Sequence, residues 1–114
     1  RCEMNMKQIR KEHPIARASF VSDKDANESM FCTGCGASGI PLDVSHIIRK
    51  SYRPDLMNEF DNMTLHCRSC HEKWDSGDVY KMLDLHDFEL NTAYIAKTDI
   101  SRYSIIISKF RSAS

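Results

Sequence analysis

The sequence predicts a small α+β domain in which a two-stranded element is closed by a helix, stapled by a metal and flanked by further helices. Three observations lead there. Two C-x2-C pairs, Cys32-Thr-Gly-Cys35 and Cys67-Arg-Ser-Cys70, stand 31 residues apart. Between them residues 42–48 alternate as a short strand, and residues 63–66 read as a second. Directly after the second pair, residues 69–76 read as a helix that stops near Gly77.

The remaining elements follow in chain order. Residues 3–12 predict a short helix that stops before Pro14, because the residue before a proline is pushed out of the helical region. Residues 22–30 are polar and loop-like. Gly36-Ala-Ser-Gly39 and Pro41 mark a turn. Residues 51–62 are polar around Pro54 and predict a loop or broken helix. Val79, Met82 and Leu83, then Ile100, Tyr103, Ile107 and Phe110, fall at helix-like intervals. The β-branched triplet at 105–107 leaves a strand as the alternative for the last element; a helix is the preferred reading. The organisation expected is one domain over 1–114. It divides into an N-terminal helix and loop (1–31), a metal-stapled core (32–77) and a C-terminal helical extension (78–114).

The cysteine count favours metal over disulfides. There are five, an odd number, and four of them have paired two-residue spacing. That spacing lets both thiolates of a pair reach one tetrahedral ion, and Gly34 and Gly36 suit a tight knuckle with positive φ. Cys2 is left over as an incidental free thiol. A redox pair is the weaker alternative, since no βαβ pattern surrounds either motif.

Composition excludes some classes and leaves others open. The 16 Lys+Arg balance the 16 Asp+Glu, so nothing global announces a polyanion binder. No apolar run approaches the roughly 18 residues of a membrane span, and no secretory signal pattern opens the chain. Hydrophobic residues make up 41% of the 114, a modest supply for a core, so a metal staple is physically welcome. Neutrality hides an uneven distribution. Residues 1–22 carry five positive and two negative side chains, whereas residues 23–31 are net acidic. Arg49, Lys50 and Arg53 are bunched just after the first strand.

The stretch Asp43-Val-Ser-His46-Ile, then Asp61-Asn62, then His66-Cys67-Arg-Ser-Cys70-His71, resembles the HNH endonucleases with a four-cysteine zinc site. The resemblance covers about residues 32–77 and implies a ββα-metal, treble-clef-like fold. Asp43-Val-Ser-His46-Ile with Ser76-Gly77-Asp78 is also similar to phage recombination nucleases of the Rap/NinG type. The resemblance implies a metal-dependent DNA endonuclease that leaves a 5′-phosphate and a 3′-hydroxyl. His46 would be the general base, Asn62 a brace or metal ligand with bracing preferred, and His71 a metal ligand. Structural Zn²⁺ would sit on Cys32, Cys35, Cys67 and Cys70. A catalytic Mg²⁺ or Mn²⁺ would sit on His71 with Asp75, one helical turn on, and with Asp43 as the weaker candidate. His66 is either a packing residue or a phosphate contact.

Ser45 departs from the pattern, which commonly has Asp or His before the general base. A hydroxyl is a poor metal ligand, so a preference for Mn²⁺ or a degenerate site stays open. DNA contacts are expected from Arg49, Lys50, Arg53, Arg68 and Lys73, mainly to phosphates. Further expectations are a homodimer or a larger phage or bacterial protein partner, and a cytoplasmic setting in a bacterial or phage-infected cell. The competing reading is a noncatalytic zinc-knuckle module that binds nucleic acid or protein.

Overall fold

The computed structural model describes residues 5–113, with side chains described through residue 109. Cys2, expected to be a free thiol, and the first residues of the expected 3–12 helix lie outside this range. The first element, α1 (Met6–Ala26), opens on Asn5, whose side chain accepts from the Gln8 N–H at 2.9 Å. It does not stop at Pro14 but runs through it, and it takes in residues 22–26, which read as loop in the sequence. Pro14 cannot donate to the carbonyl four residues back, yet Arg10 and Pro14 both face solvent, where water replaces the missing donor. The helix is held by the opposite face, which buries Ile9, His13 and Phe20. Tertiary packing therefore overrides the local breaker.

Two strands follow, β1 (Asp43–His46) and β2 (Met63–His66), paired antiparallel as Asp43↔His66, Val44↔Leu65, Ser45↔Thr64 and His46↔Met63. Side chains alternate across this ladder. Val44, Met63 and Leu65 meet Phe20, Ala16 and Val21 of α1 in one apolar cluster. The connection between the strands contains two short 3-10 turns, Pro54–Leu56 and Phe60–Asn62, in agreement with the broken-helix expectation.

The second pair of cysteines opens α2 (Arg68–Asp75), which ends where Gly77 takes φ +77. Its Trp74 is buried and donates to the Ile47 carbonyl at 3.0 Å, which pins α2 to the chain leaving β1. The last three helices are α3 (Val79–Met82), α4 (Phe88–Thr98) and α5 (Ile100–Ala113), so the final element is helical despite its isoleucine triplet. Asp78 caps α3 by accepting from the Tyr80 N–H at 3.0 Å. Val79, Met82, Leu85 and Ile95 join Ile47, Ile48 and Trp74 in the larger core, with Tyr103 and Ile106 of α5 packed against it. Each such side chain contributes roughly 1.5–3 kcal/mol by leaving water. The fold is thus a small α+β one: among the described residues, a two-stranded antiparallel sheet, five helices and a cluster of cysteines. No helix among the described residues is long and apolar enough to cross a membrane.

Candidate active site

The two C-x2-C turns meet on the same side of the hairpin. The sulfurs of Cys32, Cys35, Cys67 and Cys70 all lie within 4.8 Å of one another, and Cys35 Sγ is 3.9 Å from Cys67 Sγ. Four thiolates about 2.3 Å from a tetrahedral Zn²⁺ are about 3.8 Å apart, so the spacing suits that ion. Three of the four cysteines are buried, and the Thr33 N–H ties the first knuckle to Leu65 of β2 at 2.9 Å. Burial alone would push the Cys32 thiol up. Backbone hydrogen bonds from Cys67, Cys35 and Gly34, with one from the Cys70 side chain, outweigh it and bring its pKa down to about 6. The turn thus already favours a thiolate.

The two knuckle glycines serve different purposes. Gly36 has φ +80, as expected. Gly34 does not adopt positive φ; it is needed for space. A Cβ there would stand 3.0 Å from Cys70 Cβ and Sγ, and 3.1 Å from Leu85 Cδ2.

His46 ends β1 and is only 8% exposed. Its Nε2 donates to the Met57 carbonyl at 2.9 Å, because a carbonyl can only accept. The proton is thereby fixed on Nε2 in the neutral ring. Nδ1 makes no hydrogen bond to a described residue and keeps its lone pair. Burial, chiefly, lowers the pKa of His46; the Met57 bond opposes this, and the nearby His13, Lys50 and Arg17 reinforce it. A neutral imidazole with one bare nitrogen is the form a general base requires.

Beside His46 opens a cavity of about 480 Å³, lined also by Arg17, Val44, Arg49, Lys50, Ser51, His71 and Asp75. His71 and Asp75 come from successive turns of α2, with His71 Nε2 3.1 Å from Asp75 Oδ2. On its other side His71 Nδ1 is 3.1 Å from Asp43 Oδ2. The two carboxylates therefore take opposite nitrogens of one ring. Among the described residues the cysteines are the one cluster whose ligand atoms converge; Asp43, His71 and Asp75 do not meet at a point. Of the expected catalytic-metal set, His71 and Asp75 share the cavity with His46, whereas Asp43 faces a neighbouring groove with Arg68.

Asn62 is fully buried in the connection between the strands. Its Oδ1 accepts from the Ile48 N–H at 2.7 Å, and its Nδ2 donates to the Ile48 carbonyl at 3.1 Å. Both ends of its amide are thus engaged with the Ile48 backbone.

Residues 32–76 match the family model of the HNH endonucleases. That segment, 45 of the 114 residues, is similar to the HNH endonucleases. No curated protein and no solved structure matches the chain.

Within the HNH segment the other expected residues distribute unevenly. Ser45 is fully buried, its Oγ has no partner, and it does not line the cavity beside His46. His66 is fully buried, with Nε2 3.0 Å from Asp87 Oδ2, while Thr33 donates to the same oxygen at 2.7 Å. Its place supports packing and not phosphate contact. Of the five basic residues expected at DNA, Arg49 and Lys50 line the cavity. Arg53 does not: its guanidinium is forked between Asp55 at 2.8 Å and Asp99 at 3.0 Å, a tie between the strand connection and the start of α5. Arg68 is 72% exposed and lies 3.2 Å from Asp43, and Lys73 faces Asp84 at 3.6 Å.

Two residues at this site escaped the sequence reading, and both come from α1. Arg17 lines the cavity with His46. His13 packs its ring against that of His46, with centroids 5.3 Å apart and planes 43° apart. The sequence signal was the positive balance of residues 1–22, to which Arg17 contributes, but it assigned neither residue to the site.

Proposed function

We propose that this protein is a metal-dependent DNA endonuclease with His46 as general base. The observation that carries the reading is the pinning of His46 Nε2 on the Met57 carbonyl, with Nδ1 left bare, beside a cavity shared with His71, Asp75 and three basic side chains. In this reading His46 Nδ1 removes a proton from a water placed in line with the scissile bond. The water oxygen bonds to phosphorus as the P–O3′ bond breaks, leaving a 5′-phosphate, and the departing O3′ takes a proton from solvent to become the 3′-hydroxyl. Arg17, Arg49 and Lys50 hold phosphate oxygens of the bound strand, and their charges favour the anion without reading bases.

His71 and Asp75 offer an imidazole and a carboxylate to the same cavity, a donor set that suits Mg²⁺ or Mn²⁺. A divalent cation bound there would stabilise the negative charge that develops on the phosphate and the leaving oxygen. Asp43 stands on the other nitrogen of His71 and orients the ring. The four cysteines hold Zn²⁺ in a closed site that adds to folding and takes no part in the reaction.

One observation favours a second reading, a noncatalytic zinc-knuckle module: Ser45 gives the cavity no ligand where the family commonly has an acid or histidine. Cleavage of supercoiled plasmid with Mg²⁺ or Mn²⁺, with EDTA and His46→Ala as blanks, decides between them. Metal-dependent nicking lost in His46→Ala supports the nuclease; DNA binding without any nicking supports the module.

A further inference from the structure

The residue pair Met57-Asn58 holds two histidines at once. Met57 accepts from His46 Nε2. The next residue, Asn58, donates from Nδ2 to the Ile9 carbonyl of α1 at 2.9 Å, which orients its amide. Its Oδ1 therefore faces His13 Nδ1 at 2.9 Å and accepts from it. The proton of His13 is thus fixed on Nδ1, and its Nε2 is buried with no partner. Burial, first, lowers the pKa of His13, and Lys50 and Arg17 reinforce this against the bond to Asn58. His13 is therefore a neutral, immobilised ring lying against the ring of the general base.

An orphaned buried acceptor is costly, so a histidine is a poor choice for filling the α1 interface. What it does offer is a flat aromatic face anchored from behind. We propose that His13 is the positioning residue of His46. Gripped by Asn58, it fixes the plane of the His46 ring so that Nε2 stays on Met57 and Nδ1 stays toward the cavity. α1 thereby becomes part of the active site, although it lies outside the HNH segment. The proposal rests on the nuclease reading for its kinetic consequence and on geometry alone for its spectroscopic one.

The test uses the full chain with zinc and compares His13→Ala with His13→Phe, which keeps a flat ring against His46. Two quantities are read: exchange of the His46 Nε2–H with solvent by NMR, and the split of plasmid cleavage into kcat and KM. In His13→Ala the imidazole N–H should exchange at least about tenfold faster, and kcat should fall about 10- to 100-fold with KM within about twofold, as expected for a misoriented base. His13→Phe should retain most of both. An unchanged N–H and kcat in folded His13→Ala would overturn the proposal, as would a His13→Phe enzyme with both lost. Should His13→Ala not fold, His13→Leu, which fills the space without a flat ring, takes its place: it should show the same faster exchange and lower kcat, and a folded His13→Leu with both unchanged would overturn the proposal. If the N–H exchange responds as expected while the wild-type protein cleaves no DNA, the nuclease reading falls and the positioning role stands.

Discussion

Asn62 and Ile48 are joined by two hydrogen bonds, one in each direction: Oδ1 accepts from the Ile48 N–H at 2.7 Å, and Nδ2 donates to its carbonyl at 3.1 Å. The pair closes the connection between the strands, and Met57, which holds His46, lies inside it. Asn62→Ala would leave both backbone groups buried and unpaired. It should lower stability by about 2–3 kcal/mol, measured by urea unfolding at constant m-value. A loss below about 0.5 kcal/mol would mean that the brace is not supporting the loop.

The cysteine cluster predicts one Zn²⁺ per chain by elemental analysis. Cys32→Ser, or a strong chelator, should unfold the wild-type core. Structural zinc adds about 10–16 kcal/mol of apparent free energy in small domains, comparable with a whole domain's stability. Circular dichroism should show loss of the cooperative thermal transition. A folded, metal-free Cys32→Ser protein would contradict this role.

The two packed histidines set a pH dependence with a definite sign. Burial lowers the pKa of both His13 and His46 below the ordinary value of about 6.5. The unfolded chain therefore binds more protons than the folded one just below that pH. Their contribution to stability is complete above pH about 6.5 and is lost as pH falls from there through the folded-state values. Melting temperature should decline over that window, and the decline should be shallower in His13→Phe, which removes one of the two groups. Cleavage should also persist below pH about 6.5, because the base stays neutral there. A loss of cleavage on acidification that already sets in above pH about 6.5 would contradict the lowered pKa of His46.

Asp75 and Asp43 both touch His71, but only Asp75 shares the cavity with His46. Asp75→Asn should raise the Mg²⁺ or Mn²⁺ concentration giving half-maximal cleavage by at least about tenfold, and Asp43→Asn by less. Metal titrations of the two variants check this. The reverse order would move the metal to the Asp43 side of the ring.

The hairpin and α2 were legible because the signals there are local. The cysteine spacing marks both ends of the unit, alternation marks the strands, and Gly77 marks the stop. Once the resemblance had named His71, Asp75 followed from helical spacing. The length of α1 was not legible. Pro14 is a local breaker, and what overrides it is the packing of Ile9, His13 and Phe20 against chain some thirty to fifty residues away. For the same reason His13 and Arg17 went unnoticed: no motif links them to His46, and only tertiary contact does. Arg53 failed in the opposite direction. It stands only three residues after Lys50, yet Asp55 and Asp99 draw it away from the cavity.

The most direct measurement of the central claim is nicking of supercoiled plasmid by the zinc-loaded wild type and by His46→Ala, each with and without Mg²⁺ or Mn²⁺. Folding of the variant is verified by its thermal transition, and DNA binding by mobility shift. The account predicts metal-dependent nicking by the wild type and a loss of about 100-fold or more in a folded, DNA-binding His46→Ala. Equal cleavage by the two proteins, or none by either, would contradict it.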